Sequence, residues 1–300
     1  QVISKGADVG LLANDTQGAD GATVTFVDES SLQGSLTWNA DGSFDYTAKD
    51  NASYTEVVNY TITDADGDTS QATLTINVEN GTPTTQPTNV QVNEAGLDEG
   101  SQSATNSEQV KGQLVATDAQ GDDLTFKAET ITGNYGEIDI RADGSFTYTL
   151  TKPVTSSDNP VDDAESFVYT VTDSHGNSAT GTITVDVIDD VPQAVNDTPA
   201  ALQSATSLTT TAGNGMLAND VQGADGATVI SVDTSGMRGQ LSWNADGSYT
   251  YTADANDSYE EVVSYTIRDA DGDTSQATIK FVVNDGSPTA NASAATVSEA

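Results

Sequence analysis

The chain has 300 residues, enough for about two or three domains of ordinary size. Its 46 acidic residues outnumber 9 basic ones, and a formal net charge of −37 excludes nucleic acid and anionic membranes as partners. It has no cysteine and a single histidine, His175, which excludes disulfides, cysteine-based zinc sites and a histidine metal cluster.

No stretch approaches the length of a membrane span, and residues 1–30 show no signal-peptide pattern. We therefore expect no membrane insertion. We also expect a fragment of a longer chain, or an export signal placed elsewhere.

Short runs of alternating apolar and polar residues follow one another from residue 22 onward, separated by Gly, Asp and Asn. Leu74, Ile76 and Val78 alternate with polar residues, which is typical of a half-buried strand. Asp41-Gly42 lies between two such runs and predicts a hairpin. No helix is predicted. The predicted strands are Ala22–Val27, Ser35–Asn39, Ser43–Ala48, Val57–Asp64 and Gln71–Glu79.

The middle of the chain follows a different pattern with a related ending. It has its own hairpin at Asp143-Gly144 and closes on the alternating run Gly181–Val187. Both unit types end with a tyrosine-containing strand, an acidic turn and a threonine-rich strand. We name the first type A and the middle type B.

The chain then repeats its first part with a constant offset of 205 positions, which takes Leu12 to Leu217. The offset also takes Trp38–Ser43 to Trp243–Ser248, and residues 92–95 to residues 297–300. Such self-similarity indicates an array of folded units. The predicted domains are an A unit at 1–82 with a truncated N-terminal strand, a B unit at 83–188, a second A unit at 189–287, and the start of another B unit at 288–300.

Evenly spaced short strands with frequent turns predict an all-β chain of immunoglobulin-like Greek-key sandwiches. The linkers are short and each contains a proline, which favours a limited range of angles and an elongated array.

The acidic turns before the last strands are the first candidate metal sites. They are Asp64, Asp66 and Asp68 in the first A unit and Asp269, Asp271 and Asp273 in the second. Calcium needs about six to eight oxygen ligands, which closely spaced carboxylates and turn carbonyls supply. A strand of about 8–10 residues separates each turn from the linker that follows it, so the two lie at opposite ends of the sandwich. The turn Asp269–Asp273 is therefore expected to meet the preceding linker, at Asp189 and Asp190. The alternative is a solvated turn that uses Asp and Gly for their backbone tolerance.

The segments Tyr169–Asn177 (YTVTDSHGN) and Asp143–Thr149 (DGSFTYT) resemble the VCBS repeat. The A units are similar to the cadherin-like or immunoglobulin-like repeats that accompany it in giant type I-secreted RTX and biofilm adhesins of bacteria. The resemblance implies extracellular, calcium-bound extender domains. The glycine-rich RTX nonapeptide is absent, so the chain is not the secretion-signal end of such a protein.

Further candidate ligands follow from the linkers, which resemble calcium-bridging cadherin linkers, and from acidic loops. The alternative for each is a solvated loop. In the linkers and near domain ends they are Glu79, Asn80, Asp189, Asp190, Asp197 and Asp285; in the B unit they are Asp118, Asp122, Asp123, Asp173 with Asn177, and the run Asp162, Asp163 and Glu165.

No catalytic motif or coherent catalytic constellation is present, so we expect no enzyme activity. Trp38 and Trp243 could stack on sugars, but their alternation with leucines favours packing. The predicted function is a monomeric, calcium-stiffened spacer of a secreted bacterial surface adhesin involved in attachment and biofilm formation, with calcium ions and neighbouring repeats as partners. The alternatives are a glycan- or protein-binding module and an accessory region of a secreted enzyme.

Overall fold

The computed structural model describes residues 2–49, 53–156, 158–255, 257–286 and 292–297. These residues form three consecutive β-sandwiches, each with its own hydrophobic core, which confirms the predicted all-β class. No helix among them is long and apolar enough to cross a bilayer. The short 3₁₀ helices span Ala7–Val9, Glu94–Gly96, Ala212–Asn214 and Met216–Ala218.

The first A unit packs two antiparallel sheets face to face, in the strand orders β1-β4-β3 and β2-β5-β6. Alternation along β5 buries Val58, Tyr60 and Ile62 against the other sheet. The strand predictions for this unit agree with the structure to within three residues at each end. The strands are β1 Val2–Lys5, β2 Ala22–Val27, β3 Ser35–Trp38, β4 Phe44–Thr47, β5 Tyr54–Asp64 and β6 Thr69–Val78.

The B unit has two four-stranded sheets, β12-β13-β14-β9 and β11-β15-β16-β8, and a small pair, β10-β7, beside the linker. Strand β8 runs parallel to β16, whereas the other pairs are antiparallel. Its strands are β7 Thr84–Thr85, β8 Thr88–Asn93, β9 Gln109–Gln113, β10 Ala116–Thr117, β11 Leu124–Phe126, β12 Glu129–Thr132, β13 Gly136–Ile140, β14 Ser145–Leu150, β15 Val161–Asp173 and β16 Ser178–Ile188.

The second A unit repeats the first and adds an edge strand, β17, parallel to β23. Its sheets have the orders β17-β23-β22-β19 and β18-β21-β20. Residues 288–291 and 298–300 of the predicted fourth unit lie outside the described residues, and residues 292–297 form no regular secondary structure. The strands are β17 Leu202–Gln203, β18 Ser207–Thr209, β19 Ala227–Val232, β20 Gln240–Trp243, β21 Tyr249–Thr252, β22 Tyr259–Asp269 and β23 Thr274–Asn284.

One inward-facing glutamate joins the two sheets of each sandwich. In the first A unit, Oε1 of Glu56 accepts hydrogen bonds from the backbone N–H groups of Gln33 and Gly34, both at 2.9 Å, and from the Tyr46 hydroxyl at 2.8 Å. These charge-assisted bonds make the burial of the carboxylate tolerable. The pairs are Tyr46 with Glu56, Tyr148 with Glu165, and Tyr251 with Glu261. Glu165 is therefore an internal anchor and not a member of a surface acidic run.

Candidate metal centre at the domain junctions

Carboxylates from the linker and from two loops of the second A unit meet where this unit joins the B unit. Asp271, in the turn between β22 and β23, belongs to two groups. In each group one oxygen per residue lies within 4.8 Å of the others. The first group joins Asp271 to Asp189 and Asp273, and the second joins it to Asp225 and Asp269.

Strand length explains why the linker and the turn meet. The turn precedes β23, and the following linker comes after it, about 35 Å away along an eleven-residue strand. The turn therefore faces the preceding linker, as the sequence predicts for Asp189. We call the resulting cluster the B–A junction cluster; its members are Glu94, Asp189, Asp225, Asp269, Asp271 and Asp273.

Three of these carboxylates are more than nine-tenths buried, yet they keep oxygens without a donor. Asp189 and Asp269 are each 6% exposed, and Glu94, in the 3₁₀ helix after β8, is 1% exposed. Both oxygens of Asp189, Oδ2 of Asp269 and Oε2 of Glu94 meet no N–H or O–H donor among the described residues. Asp271 also has two buried oxygens without a donor. Burying a charge in this way is costly unless a proton or a cation compensates it.

Burial, with help from neighbouring carboxylates, raises the pKa values of Asp189, Asp269 and Glu94. Burial is the main cause for Asp189, whose pKa rises to about 8, and repulsion from Asp271 adds to it. Burial likewise raises the pKa of Asp269 and of Glu94 to about 7, with neighbouring carboxylates contributing. No ion pair among the described residues includes a member of the cluster. The cluster therefore resists full ionisation without a cation.

The donor set suits a hard divalent cation. Every candidate ligand is a carboxylate oxygen, and no histidine or cysteine belongs to the cluster. Calcium takes about six to eight oxygens in a flexible arrangement, whereas zinc prefers nitrogen and sulfur in a tetrahedron. Since Asp271 belongs to both groups, it could bridge two cation positions.

Close packing holds the two units together around the cluster. Ala224 of the second A unit joins the hydrophobic core of the B unit and is 8% exposed. Beside it, Gly223 lies so close to the Asp190 carbonyl oxygen that a Cβ would come within 2.2 Å. The carboxylate of Asp190 accepts a 2.7 Å hydrogen bond from the backbone N–H of Ser101 and another from its hydroxyl. Asp190 thus ties the linker to the B unit.

The junction between the first A unit and the B unit is built differently. Oxygens of Asp118, Asp122 and Asp173 lie within 4.8 Å of one another, and all three residues belong to the B unit. From the linker, Nδ2 of Asn80 donates a 2.7 Å hydrogen bond to Asp122. His175 Nδ1 also lies 3.2 Å from Asp122. Here side-chain nitrogens already contact the carboxylate of Asp122, whereas Oδ2 of Asp118 is buried without a donor in the described part of the chain.

The outer end of the first A unit carries an exposed version of the cluster. Asp20, Asp64 and Asp66 place oxygens within 4.8 Å of one another. Asp64 accepts hydrogen bonds from its own turn, at 3.0 Å from Gly67 N–H and 2.8 Å from Asp68 N–H. Contact with Asp66 is the main cause that lowers the pKa of Asp64, and it raises the pKa of Asp66.

The other predicted ligands lie outside these groups. Glu79 and Asp123 are exposed and belong to no group of acids among the described residues. Asp285 accepts a 3.1 Å hydrogen bond from the Ser204 hydroxyl. Asp197 lies inside the second A unit, where burial raises its pKa to about 6 and Asp220 adds to the shift. The structure thus separates these four residues from the junction cluster.

Sequence reasoning missed Glu94 and Asp225 as members of the cluster. A signal existed for Asp225, because the Gln-Gly-Ala-Asp-Gly segment occurs in both A units, at 17–21 and 222–226. The tryptophans are half-buried and pack against their cores. Trp38 also donates a 3.1 Å hydrogen bond to Glu29. This packing accounts for both indoles without a sugar ligand.

Three matches to one family cover almost the whole chain. The bacterial cadherin-like domain matches residues 1–80, 80–188 and 189–285. No curated protein matches the chain. Among solved structures, a mouse clustered protocadherin fragment of three extracellular cadherin domains is 14% identical, with 92% of this chain and 95% of that chain covered and a TM-score of 0.31. Drosophila N-cadherin domains EC1–4 are 13% identical, with 88% and 66% covered and a TM-score of 0.32. Because the family matches reach from residue 1 to residue 285, the chain belongs to the family of bacterial cadherin-like domains and carries them as tandem repeats.

Proposed function

We propose that this chain is a calcium-stiffened spacer of a large bacterial surface adhesin. The observation that carries the proposal is the set of buried oxygens without donors at the junction of the B unit and the second A unit. Asp189, Asp269 and Glu94 are all more than nine-tenths buried, and each has at least one such oxygen. Once these carboxylates ionise, the junction needs a cation to stay closed.

The six carboxylates of the B–A junction cluster would hold the calcium. Glu94 belongs to the B unit, Asp189 to the linker, and Asp225, Asp269, Asp271 and Asp273 to the second A unit. Calcium supplies positive charge that these acids share. Because the ligands come from both sides of the junction, binding would restrict the angle between the two units.

The proposed location is outside the cell. Extracellular modules bind calcium with dissociation constants of about 10⁻⁴–10⁻³ M, which suits free calcium at about millimolar concentration. A net charge of −37 disfavours compact states where calcium is scarce, and the chain has no disulfide to form. This combination supports a chain that is exported unfolded and stabilised after export.

The finer assignment is to type I-secreted adhesins that mediate attachment and biofilm formation. The resemblance of residues 143–149 and 169–177 to the VCBS repeat supports it. The tandem β-sandwiches suit a spacer, so we propose a mechanical and not an enzymatic role.

Differential scanning calorimetry of the whole chain tests calcium binding, with Asp271→Asn compared with Asp66→Asn. The two substitutions remove the same charge from equivalent turns, but only Asp271 belongs to two groups of carboxylates and has two buried oxygens without a donor. At 10 mM calcium, one site of this affinity stabilises the fold by about 1.4–2.7 kcal/mol. For a unit of about 100 residues this raises the Tm by roughly 10 °C.

We expect calcium to raise the Tm of the wild type and of Asp66→Asn, and to have little effect on the corresponding transition of Asp271→Asn. Small-angle scattering should show a more extended wild-type chain in calcium than in EGTA. Equal melting and equal scattering in calcium and EGTA would overturn the proposed function. Magnesium at the same concentration is the ion control, because it demands a stricter octahedral geometry.

A further inference from the structure

Equivalent positions at the two junctions carry different side chains. The linkers align on Pro83 and Pro192, which places Asn80 where the second linker has Asp189. The turns align on the last residues of β15 and β22, Asp173 and Asp269. This places His175 at the position of Asp271 and Asn177 at the position of Asp273. Three acids at one junction are thus two amides and an imidazole at the other.

These nitrogen-bearing side chains connect the first A unit to the B unit directly. Nδ2 of Asn177 donates hydrogen bonds to Oδ1 of Asn80 at 2.7 Å and to the carbonyl oxygen of Gly81 at 3.2 Å. Asn80 in turn donates to Asp122 at 2.7 Å, and His175 contacts the same carboxylate. Amide–carboxylate and imidazole–carboxylate contacts of this length hold without a metal.

The acids that remain at this junction do not span it. Asp118, Asp122 and Asp173 all belong to the B unit, so a cation among them would join B to itself. At the other junction the first group contains the linker acid Asp189 together with Asp271 of the following unit. The residue that would close a bridging site between the first A unit and the B unit is Asn80. Its side-chain amide already bonds Asp122 and Asn177 of the B unit, and its backbone N–H donates to the Ser53 hydroxyl of the first A unit at 2.9 Å.

We infer that the junctions alternate in chemistry: the A–B junction is a hydrogen-bonded joint that persists without calcium, and the B–A junction is a joint that calcium closes. This inference rests on the proposed function for the B–A junction only. Removing calcium would then bend the chain at every second junction of such an array and leave each A–B pair intact.

Pulsed electron spin resonance of the whole chain measures each junction separately. The chain has no cysteine, so introduced cysteines are the only labelling sites. Thr37→Cys with Glu137→Cys spans the A–B junction, and Glu137→Cys with Ser242→Cys spans the B–A junction. All three positions are exposed strand residues. In EGTA we expect the B–A distance distribution to broaden about twofold, because the unpaired carboxylates then repel one another across the junction, while the A–B distribution stays unchanged.

A gain-of-function variant tests the cause. Asn80→Asp, His175→Asp and Asn177→Asp together restore the acids of the B–A junction. They should make the A–B distance sensitive to EGTA and add at least one calcium ion to the stoichiometry measured by isothermal titration calorimetry. If the triple variant fails to fold, His175→Asp alone is the milder test. It should also make the A–B distance sensitive to EGTA, to a smaller extent.

The outcomes distinguish the proposed spacer function from the alternation of the junctions. Broadening of both wild-type distributions in EGTA would overturn the alternation and leave the spacer function standing. Broadening of neither would overturn the proposed calcium dependence, and the alternation with it. An A–B joint of the triple variant that ignores EGTA, with no added calcium, would also overturn the inference, because the three substituted positions would then not decide the response.

Discussion

In buffer without calcium, the second A unit should lose stability as the pH rises from 5 to 8, and calcium should abolish this loss. The folded-state pKa values of Asp189, Asp269 and Glu94 are raised to about 8, 7 and 7. A raised pKa means that the folded state binds protons more tightly than the unfolded state. The resulting stability is complete below the unfolded pKa of about 4 and is lost as the pH passes the folded value. Calcium replaces the protons and removes the dependence.

The size of the effect follows from the shifts. One pKa unit corresponds to about 1.4 kcal/mol. We count about one unit each for Asp189 and Asp269, well below their full shifts, because relaxation and solvent screening reduce the energy. The free energy of unfolding of this unit should therefore fall by about 3 kcal/mol between pH 5 and pH 8. Acids with lowered pKa values, such as Asp173, titrate below this range and do not interfere.

Tryptophan fluorescence during urea unfolding measures the units separately. Trp38→Phe leaves Trp243 to report on the second A unit, and Trp243→Phe leaves Trp38 to report on the first. Calcium is removed with a chelating resin, since EGTA binds calcium weakly at acidic pH. The first A unit is the internal control, because Asp64 and Asp66 are not buried there.

If the stability of the second A unit in calcium-free buffer rises with pH or stays constant, the proposed repulsion is refuted. It would also be refuted if calcium stabilised this unit as strongly at pH 5 as at pH 8. Either result would mean that the buried carboxylates do not carry the proposed repulsion.

Two further predictions concern packing. Gly223→Ala should weaken calcium binding measured by titration calorimetry, because its Cβ would meet the Asp190 carbonyl oxygen. The control Gly18→Ala shares the positive φ without that contact and should lower the free energy of unfolding by only about 1 kcal/mol. Equal effects of the two substitutions would contradict the close approach. Glu56→Ala should destabilise the first A unit by about 3 kcal/mol in urea unfolding, since the Tyr46 hydroxyl and two backbone N–H groups lose their acceptor. Glu56→Gln, which keeps one acceptor oxygen, should cost less, and a neutral Ala variant would show that the anchor is dispensable.

Long strands such as β5 could be predicted because buried and exposed residues alternate along them. In β5 every second residue from Glu56 to Ile62 is buried, and Asp41-Gly42 has the positive φ at Gly42 that a tight hairpin requires. Strand length also predicted that the turn at Asp269–Asp273 lies at the far end of the sandwich from the following linker, and so meets the preceding one. These features depend on neighbours that are close in sequence, which a pattern records.

The candidate site could be predicted only in part, because its other ligands depend on contacts between distant segments. Glu94 belongs to no acidic turn or linker in the sequence, and only the docking of the second A unit brings it near Asp271. Glu165 is the reverse case, a predicted ligand that is not one. Its acidic neighbours indicate a solvated loop, but it lies on the inward face of β15 and bonds Tyr148. Carboxylate spacing in sequence does not distinguish a ligand from an internal anchor; burial and donor count do.

Apolar packing and carboxylate repulsion occur together at the B–A junction. Ala224 enters the core of the preceding B unit, whereas its counterpart in the first A unit, Ala19, is exposed. The junction that contains Ala224 also holds most of the buried carboxylate oxygens without a donor among the described residues, so apolar contact draws together groups that repel one another. In such a joint, apolar attraction opposes carboxylate repulsion, and an ion that cancels the repulsion favours the closed state. At the A–B junction, Asn80, His175 and Asn177 supply nitrogen atoms where the other junction has acids, and Oδ2 of Asp118 remains buried without a donor from the residues that the structure describes. A spacer whose stiffness responds to calcium needs junctions at which apolar packing and carboxylate repulsion oppose each other. In this chain the B–A junction combines the two.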